Sequence, residues 1–267
     1  MILCSSVTRC NKPLECALKD IADAGFRDID LIAINTWAHF NPADLAADYD
    51  TVLARVETAL KQNNLTMRAM NIGMNKQMHD RGVSSVESNL KELDALCRLM
   101  KHFGVKAAAL QPLQKDPKRN PEDVLKDSVD ALEEYYDCTK GHGIALGLEL
   151  HINSPFDTKE AVDYLYNRIP DATVVYDPTH FISMGETLEF SEFMIEHAVH
   201  VHIRDAVFGK IQTRLGEGSV DFEWIVNKLK AKGYKGNYSI EYLYNEEWDA
   251  LEDAVKLREL LENIAII

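Results

Sequence analysis

Eight short apolar, β-branched runs alternate with longer amphipathic stretches along this chain. That alternation constrains the fold more than any other feature, because it builds parallel strands joined by helical crossovers. The strand-like runs span Ile2 to Val7, Phe26 to Ile34, Leu65 to Ile72, Val105 to Leu110, Ile144 to Ile152, Thr173 to Tyr176, Val199 to Ile203 and Tyr238 to Leu243. The helical stretches between them run from about 13 to 24, 45 to 62, 85 to 103, 121 to 140, 159 to 169, 188 to 197, 222 to 232 and 248 to 263. Within 85 to 103, Leu90, Leu93, Leu96, Cys97 and Met100 follow the i, i+3, i+4 spacing of a core-facing stripe. Pro121, Glu122 and Asp123 form a favourable first helical turn, with negative charge at the positive end of the helix dipole.

Eight strand-helix pairs in 267 residues suit an α/β fold, a single (β/α)8 TIM barrel occupying residues 1–267 as one domain. The competing arrangement is a doubly wound open sheet, which usually carries a glycine-rich first turn. Here that turn reads Cys4-Ser5-Ser6-Val7-Thr8-Arg9-Cys10, without glycine.

The net charge of -14 disfavours nucleic acid, because an acidic surface repels phosphate. No apolar run approaches the roughly 18 residues that cross a bilayer, and no leader-like segment opens the chain. The 5 cysteines include no CxxC pair, which fits free thiols in a reducing cytosol. The expectation is a soluble cytoplasmic protein.

Chemistry concentrates in four segments: Leu148-Glu149-Leu150-His151, Tyr176-Asp177-Pro178-Thr179-His180, His200-Val201-His202-Ile203-Arg204-Asp205 and Ser239-Ile240-Glu241-Tyr242. In a barrel, function sits at the C-terminal ends of the strands. Glu149, Asp177, His202 and Glu241 fall there on four consecutive strands and can converge. A lone carboxylate within Leu146-Gly147-Leu148-Glu149-Leu150 would be costly to bury, and a cation supplies the partner. Three carboxylates and an imidazole make a mixed oxygen and nitrogen site for one divalent ion.

His200 shares the parity of His202 and reads as a deeper, hydrogen-bonded core histidine, whereas His151 is a weaker site candidate. His180, three residues past Asp177, is placed to contact substrate oxygens. Asp205 either orients a ligand or caps the next segment. Arg214-Leu215-Gly216-Glu217-Gly218 forms a loop whose glycines allow close backbone approach. Trp37, Asn71 and Gln111 end strands two, three and four, where they either stack on and hydrogen-bond a polyol or pack loops.

Together, Gly147-Leu148-Glu149, Asp177-Pro178-Thr179-His180, His200 to Asp205, Leu215-Gly216-Glu217-Gly218 and Ser239-Ile240-Glu241 resemble the xylose isomerase-like barrel superfamily. The likeness is greatest to its sugar phosphate isomerase/epimerase branch, which includes ketose 3-epimerases, hydroxypyruvate isomerases and inosose dehydratases. The resemblance implies one divalent metal ion, usually Mn²⁺, with Mg²⁺, Co²⁺ or Zn²⁺ as substitutes. It implies that Glu149 and Glu241 bind the metal and also move the proton, with Asp177 and His202 completing the ligands. His180 would touch the substrate. An arginine after strand seven would do the same; Arg204, Gln212 and Arg214 compete for that place, and Arg214 is the choice.

The implied activity is that of a divalent-metal-dependent isomerase or epimerase of a ketose or related keto-sugar. It would transfer a proton next to a carbonyl through a metal-stabilised enediolate. A lyase or dehydratase on a keto-sugar or keto-inositol is one alternative, and a sugar-binding barrel subunit without its own turnover is another. The expected partner is a small sugar, not nucleic acid or membrane, and barrels of this branch are often homo-oligomers. Relatives that cut DNA add histidines at the ends of strands three and four. This chain has Met70-Asn71-Ile72-Gly73 and Leu110-Gln111-Pro112 there, which argues against that activity.

Overall fold

The computed structural model describes residues 1–35 and 37–266. Eight parallel strands close into one barrel in sequence order. They are β1 (Ile2–Ser5), β2 (Asp28–Ile34), β3 (Thr66–Gly73), β4 (Ala107–Leu110), β5 (Ala145–Glu149), β6 (Val174–Tyr176), β7 (Ala198–Ile203) and β8 (Tyr238–Ile240). β8 closes the ring on β1, with Cys4 opposite Ile240. The outer layer contains α1 (Leu14–Asp23), α2 (Pro42–Ala47), α3 (Tyr49–Gln62), α4 (Val83–Phe103), α5 (Pro121–His142), α6 (Lys159–Arg168), α7 (Thr179–Ser183), α8 (Phe222–Ala231) and α9 (Ala250–Ile266). The expected (β/α)8 barrel is therefore the fold.

The main core lies between strands and helices, because parallel strands bury both faces and need helices over the outer one. Leu93, Leu96, Cys97 and Met100 of α4 are fully buried against it, as their spacing requires. Among the described residues no helix is long and apolar enough to cross a membrane.

Several boundaries differ from the sequence expectation, and β5 and β8 end at Glu149 and Ile240 rather than at Ile152 and Leu243. β1 stops at Ser5, because the Ser5 hydroxyl accepts from the Val7 amide at 3.4 Å and turns the chain into a 3-10 segment, Ser6–Arg9. The expected helix 45 to 62 is two helices broken at Asp48, whose extended backbone (φ -139°) ends α2 while its carboxylate caps the Thr51 amide of α3. Glu189–His197 is 3-10 rather than α-helical. α7 sits directly after Asp177, in a stretch where no helix was expected, and carries His180.

Gly147 lies two residues before Glu149 on β5. A Cβ there would stand 2.8 Å from the Val174 carbonyl carbon, so only glycine lets β6 pack this closely beneath the Glu149 side chain.

Candidate active site

β5 ends at Glu149, and Asp177 and Glu241 each lie one residue beyond the ends of β6 and β8. His202 is the penultimate residue of β7. All four side chains are buried, and their ligand-type atoms lie within 4.8 Å of one another. His202 Nδ1 is 2.7 Å from Glu149 Oε1 and 3.2 Å from Glu241 Oε2. Its other nitrogen, Nε2, is 3.3 Å from Asp30 Oδ2.

A second basic group enters the cluster from β7. Arg204 is 1% exposed, the largest fully buried side chain among the described residues. Its guanidinium donates to Glu241 Oε2 at 2.5 Å and lies 3.0 Å from Asp177 Oδ2. Two carbonyls hold it from behind, Ile211 at 3.0 Å and Glu241 at 3.1 Å.

These contacts set the charge states. Burial alone would disfavour an ionised Glu241, but His202 and Arg204 outweigh it and hold this carboxyl down at about 2. Burial likewise opposes an imidazolium at His202, yet Glu241, Asp30 and Glu149 together hold it well above the usual histidine value. His180 goes the other way. Burial, reinforced by His151 and Arg204, pushes it well below the ordinary value, so it stays neutral near pH 7.

The donor set fits a divalent cation. Three carboxylates and an imidazole converge, and the buried Asp177 Oδ2 is met by the Arg204 guanidinium at 3.0 Å without an aligned hydrogen bond. Its partner oxygen, Oδ1, is fully engaged by Thr179, from the amide at 2.9 Å and the hydroxyl at 2.5 Å. One aspartate oxygen is thus fixed by α7 while the other faces the cluster.

Asn71 donates to Glu241 Oε1 at 2.8 Å, and Gln111 donates to Glu149 Oε2. Both amides therefore orient the candidate proton-transfer carboxylates. His180 Nε2 is 3.5 Å from Asp177 Oδ2, and its ring packs on His151 with centroids 4.1 Å apart. Trp37, 45% exposed, lines a cavity of about 200 Å³ at the barrel mouth with Ile34, Gln111, Leu113 and His151. That cavity abuts the cluster through Gln111 and His151. Larger cavities, of about 540 and 800 Å³, lie against Arg68 and Lys106 at the opposite barrel end and between α5 and α6. Neither borders the carboxylates.

Arg214 is placed apart from this group. Its guanidinium turns outward to the buried Asp253, with Nε 3.2 Å from Oδ2, and faces the Trp248 ring at 5.8 Å. Arg204 is the arginine that the fold brings to the cluster. Asp205 caps the following loop: its carboxylate accepts from the amides of Ala206, Gly216, Gly218 and Val220 at 2.8 to 3.3 Å. Gly218 is required there, since a Cβ would stand 2.0 Å from Asp205 Oδ1.

Sequence reasoning missed Asp30. It accepts from His200 at 2.9 Å and faces His202 from β2. The one available signal was a carboxylate in mid-strand, Ile29-Asp30-Leu31, the same kind of signal that marked Glu149. His200 is the buried, hydrogen-bonded core histidine that its depth on the strand implied.

Residues 18–264 match the family described as Xylose isomerase-like TIM barrel. Over 181 residues the chain is 26% identical to the inosose isomerase of Bacillus subtilis (strain 168), covering 62% of this chain and 65% of that protein. The chain thus spans just under two thirds of that relative's length. Among solved structures, a xylose isomerase-like TIM barrel protein from Mycobacterium smegmatis in complex with magnesium aligns with a TM-score of 0.78 and 17% identity, over 98% of this chain and 95% of that one. D-Allulose 3-epimerase from Methylomonas sp., in complex with D-allulose, aligns with a TM-score of 0.74 and 17% identity, over 97% and 95%. At these identities the two structures speak to the fold, whereas the family match covers most of the sequence. The chain belongs to the xylose isomerase-like TIM barrel family.

Proposed function

We propose that this protein is a divalent-metal-dependent isomerase or epimerase of a ketose or related keto-sugar, working by proton transfer at a carbon next to a carbonyl. The observation that carries this reading is the pair of glutamates, Glu149 and Glu241, approaching the same His202 nitrogen from β5 and β8 beside Asp177. The inosose isomerase relative and the D-allulose complex of a similar fold support a keto-sugar as substrate class.

Glu149, Asp177, His202 and Glu241 would hold the ion, with Mn²⁺ expected and Mg²⁺, Co²⁺ or Zn²⁺ as substitutes. When bound, the ion would hold adjacent substrate oxygens and stabilise an enediolate as charge develops.

The chain's own residues do the rest. One glutamate removes the proton and the other returns it, to the opposite face for epimerisation or to the neighbouring carbon for isomerisation. Asn71 and Gln111 each hold one carboxylate oxygen, Glu241 Oε1 and Glu149 Oε2, and the other oxygens turn toward His202, with Arg204 also on Glu241 Oε2. Arg204 supplies fixed positive charge beside Asp177 and Glu241. His180, neutral and buried, can donate to or accept from a substrate hydroxyl.

A second reading, a dehydratase, needs a group that protonates the departing hydroxyl; His180 is the nearby candidate, 3.5 Å from Asp177, but its neutral state weighs against that role. A panel of ketoses and keto-inositols in D₂O separates the two. Deuterium incorporation with every hydroxyl retained supports isomerase or epimerase chemistry, loss of water supports the dehydratase, and neither outcome across the panel contradicts both.

A further inference from the structure

His202 is bounded on both edges by carboxylates. Nδ1 faces Glu149 and Glu241, the side on which all four candidate ligands meet. Nε2 faces Asp30 Oδ2 at 3.3 Å, and the same oxygen takes His200 Nε2 at 2.9 Å. Asp30, His200 and His202 are all fully buried. The rings of His200 and His202 stand edge to face, 5.1 Å apart and 86° between planes, so one carboxylate oxygen reaches both.

Asp30 Oδ1 and His200 Nδ1 have no hydrogen-bond partner among the described residues. The two imidazole N–H groups are therefore the hydrogen-bond donors to this buried carboxylate, and each must carry its proton on Nε2. A neutral imidazole has one N–H and one lone pair. A metal ion on the ligand side would take the place of the Nδ1 proton that faces Glu149 and Glu241; with the remaining proton on Nε2, the lone pair of His202 then lies on Nδ1. A carboxylate on the far nitrogen of a metal-binding histidine fixes tautomer and ring orientation and raises ligand basicity. β2 supplies that carboxylate, separated from β7 in the ring by β8 and β1.

We infer that Asp30 is the positioning residue that sets the tautomer and aim of His202 for the metal, and that His200 holds Asp30 in place. This rests on the reading of Glu149, Asp177, His202 and Glu241 as the metal site. It adds two residues that are neither ligands nor near the substrate cavity.

The test is titration of the full-length protein with Zn²⁺ and Mn²⁺, reading affinity and stoichiometry, for wild type, Asp30→Asn and His200→Gln. Circular dichroism verifies the fold of each variant. Asp30→Asn is expected to weaken metal binding by about 10- to 100-fold, and His200→Gln by less. A second readout is ¹⁵N NMR of histidine in the Zn²⁺-loaded protein. His202 is expected to hold its proton on Nε2 in the wild type, and that N–H resonance should shift or broaden in Asp30→Asn. An unchanged affinity and an unchanged His202 signature in a folded Asp30→Asn protein overturn the inference while leaving the metal site standing. Two ions per wild-type chain, one of them lost in Asp30→Asn, overturn it by making Asp30 a ligand. No ion bound by the wild type overturns the inference and the metal site together.

Discussion

Arg204 and Glu241 form an ion pair 2.5 Å long between two side chains that are each almost wholly buried. The same guanidinium reaches Asp177 at 3.0 Å. In the absence of a divalent ion, this arginine and His202 are the positive groups facing a cluster of carboxylates. Buried charge of one sign is costly without such partners.

Replacing Arg204 by Met should therefore destabilise the metal-free protein by about 3–5 kcal/mol, read from urea denaturation after chelation. Adding Mn²⁺ should restore more stability to the variant than to the wild type. Equal metal-free stability of the two proteins would show that Arg204 is not neutralising these carboxylates.

Glu149→Gln and Glu241→Gln preserve shape and remove the base. Each should lower deuterium exchange on a turned-over keto-sugar by about 10²- to 10⁴-fold while the barrel stays folded. Full turnover in either variant would remove that glutamate from proton transfer.

Arg214→Ala should leave kcat/KM within a few-fold of wild type, because its guanidinium is engaged by Asp253 outside the cluster. A modest fall in Tm is expected, as the buried Asp253 retains Lys256 at 3.2 Å as its ion-pair partner among the described residues. A large rise in KM with unchanged stability would instead place Arg214 on the substrate.

Asp205→Ala strips one carboxylate from four amides and should cost at least about 2 kcal/mol in chemical denaturation. Gly218→Ala should also destabilise, since its Cβ would overlap the Asp205 carboxylate. Stability unchanged in both variants would mean that this loop is not held as described.

The barrel was legible because its signals are local and repeated: apolar runs, helical stripes such as Leu93 to Met100, and strand spacing. The four candidate ligands were legible for a related reason. A carboxylate or imidazole at the apolar end of a strand has to find a partner, and the closed ring brings those of β5 to β8 to within 4.8 Å. Asp30 carried the same signal but sits on β2, far in sequence from His200 and His202, and only barrel closure reveals that they meet. The choice between Arg204 and Arg214 depended on side-chain direction, which alternation along a strand end and a loop does not determine. The break at Asp48 and the 3-10 geometry of Glu189–His197 arise from single capping and packing choices too local for periodicity to register.

The central claim is the mononuclear carboxylate-histidine centre, and metal content tests it without any guess at the substrate. Elemental analysis of the purified protein, beside Glu241→Gln, should find about one Mn, Mg, Co or Zn per chain, reduced in the variant. No bound metal in the wild type, even after reconstitution with each of these ions, would contradict the account.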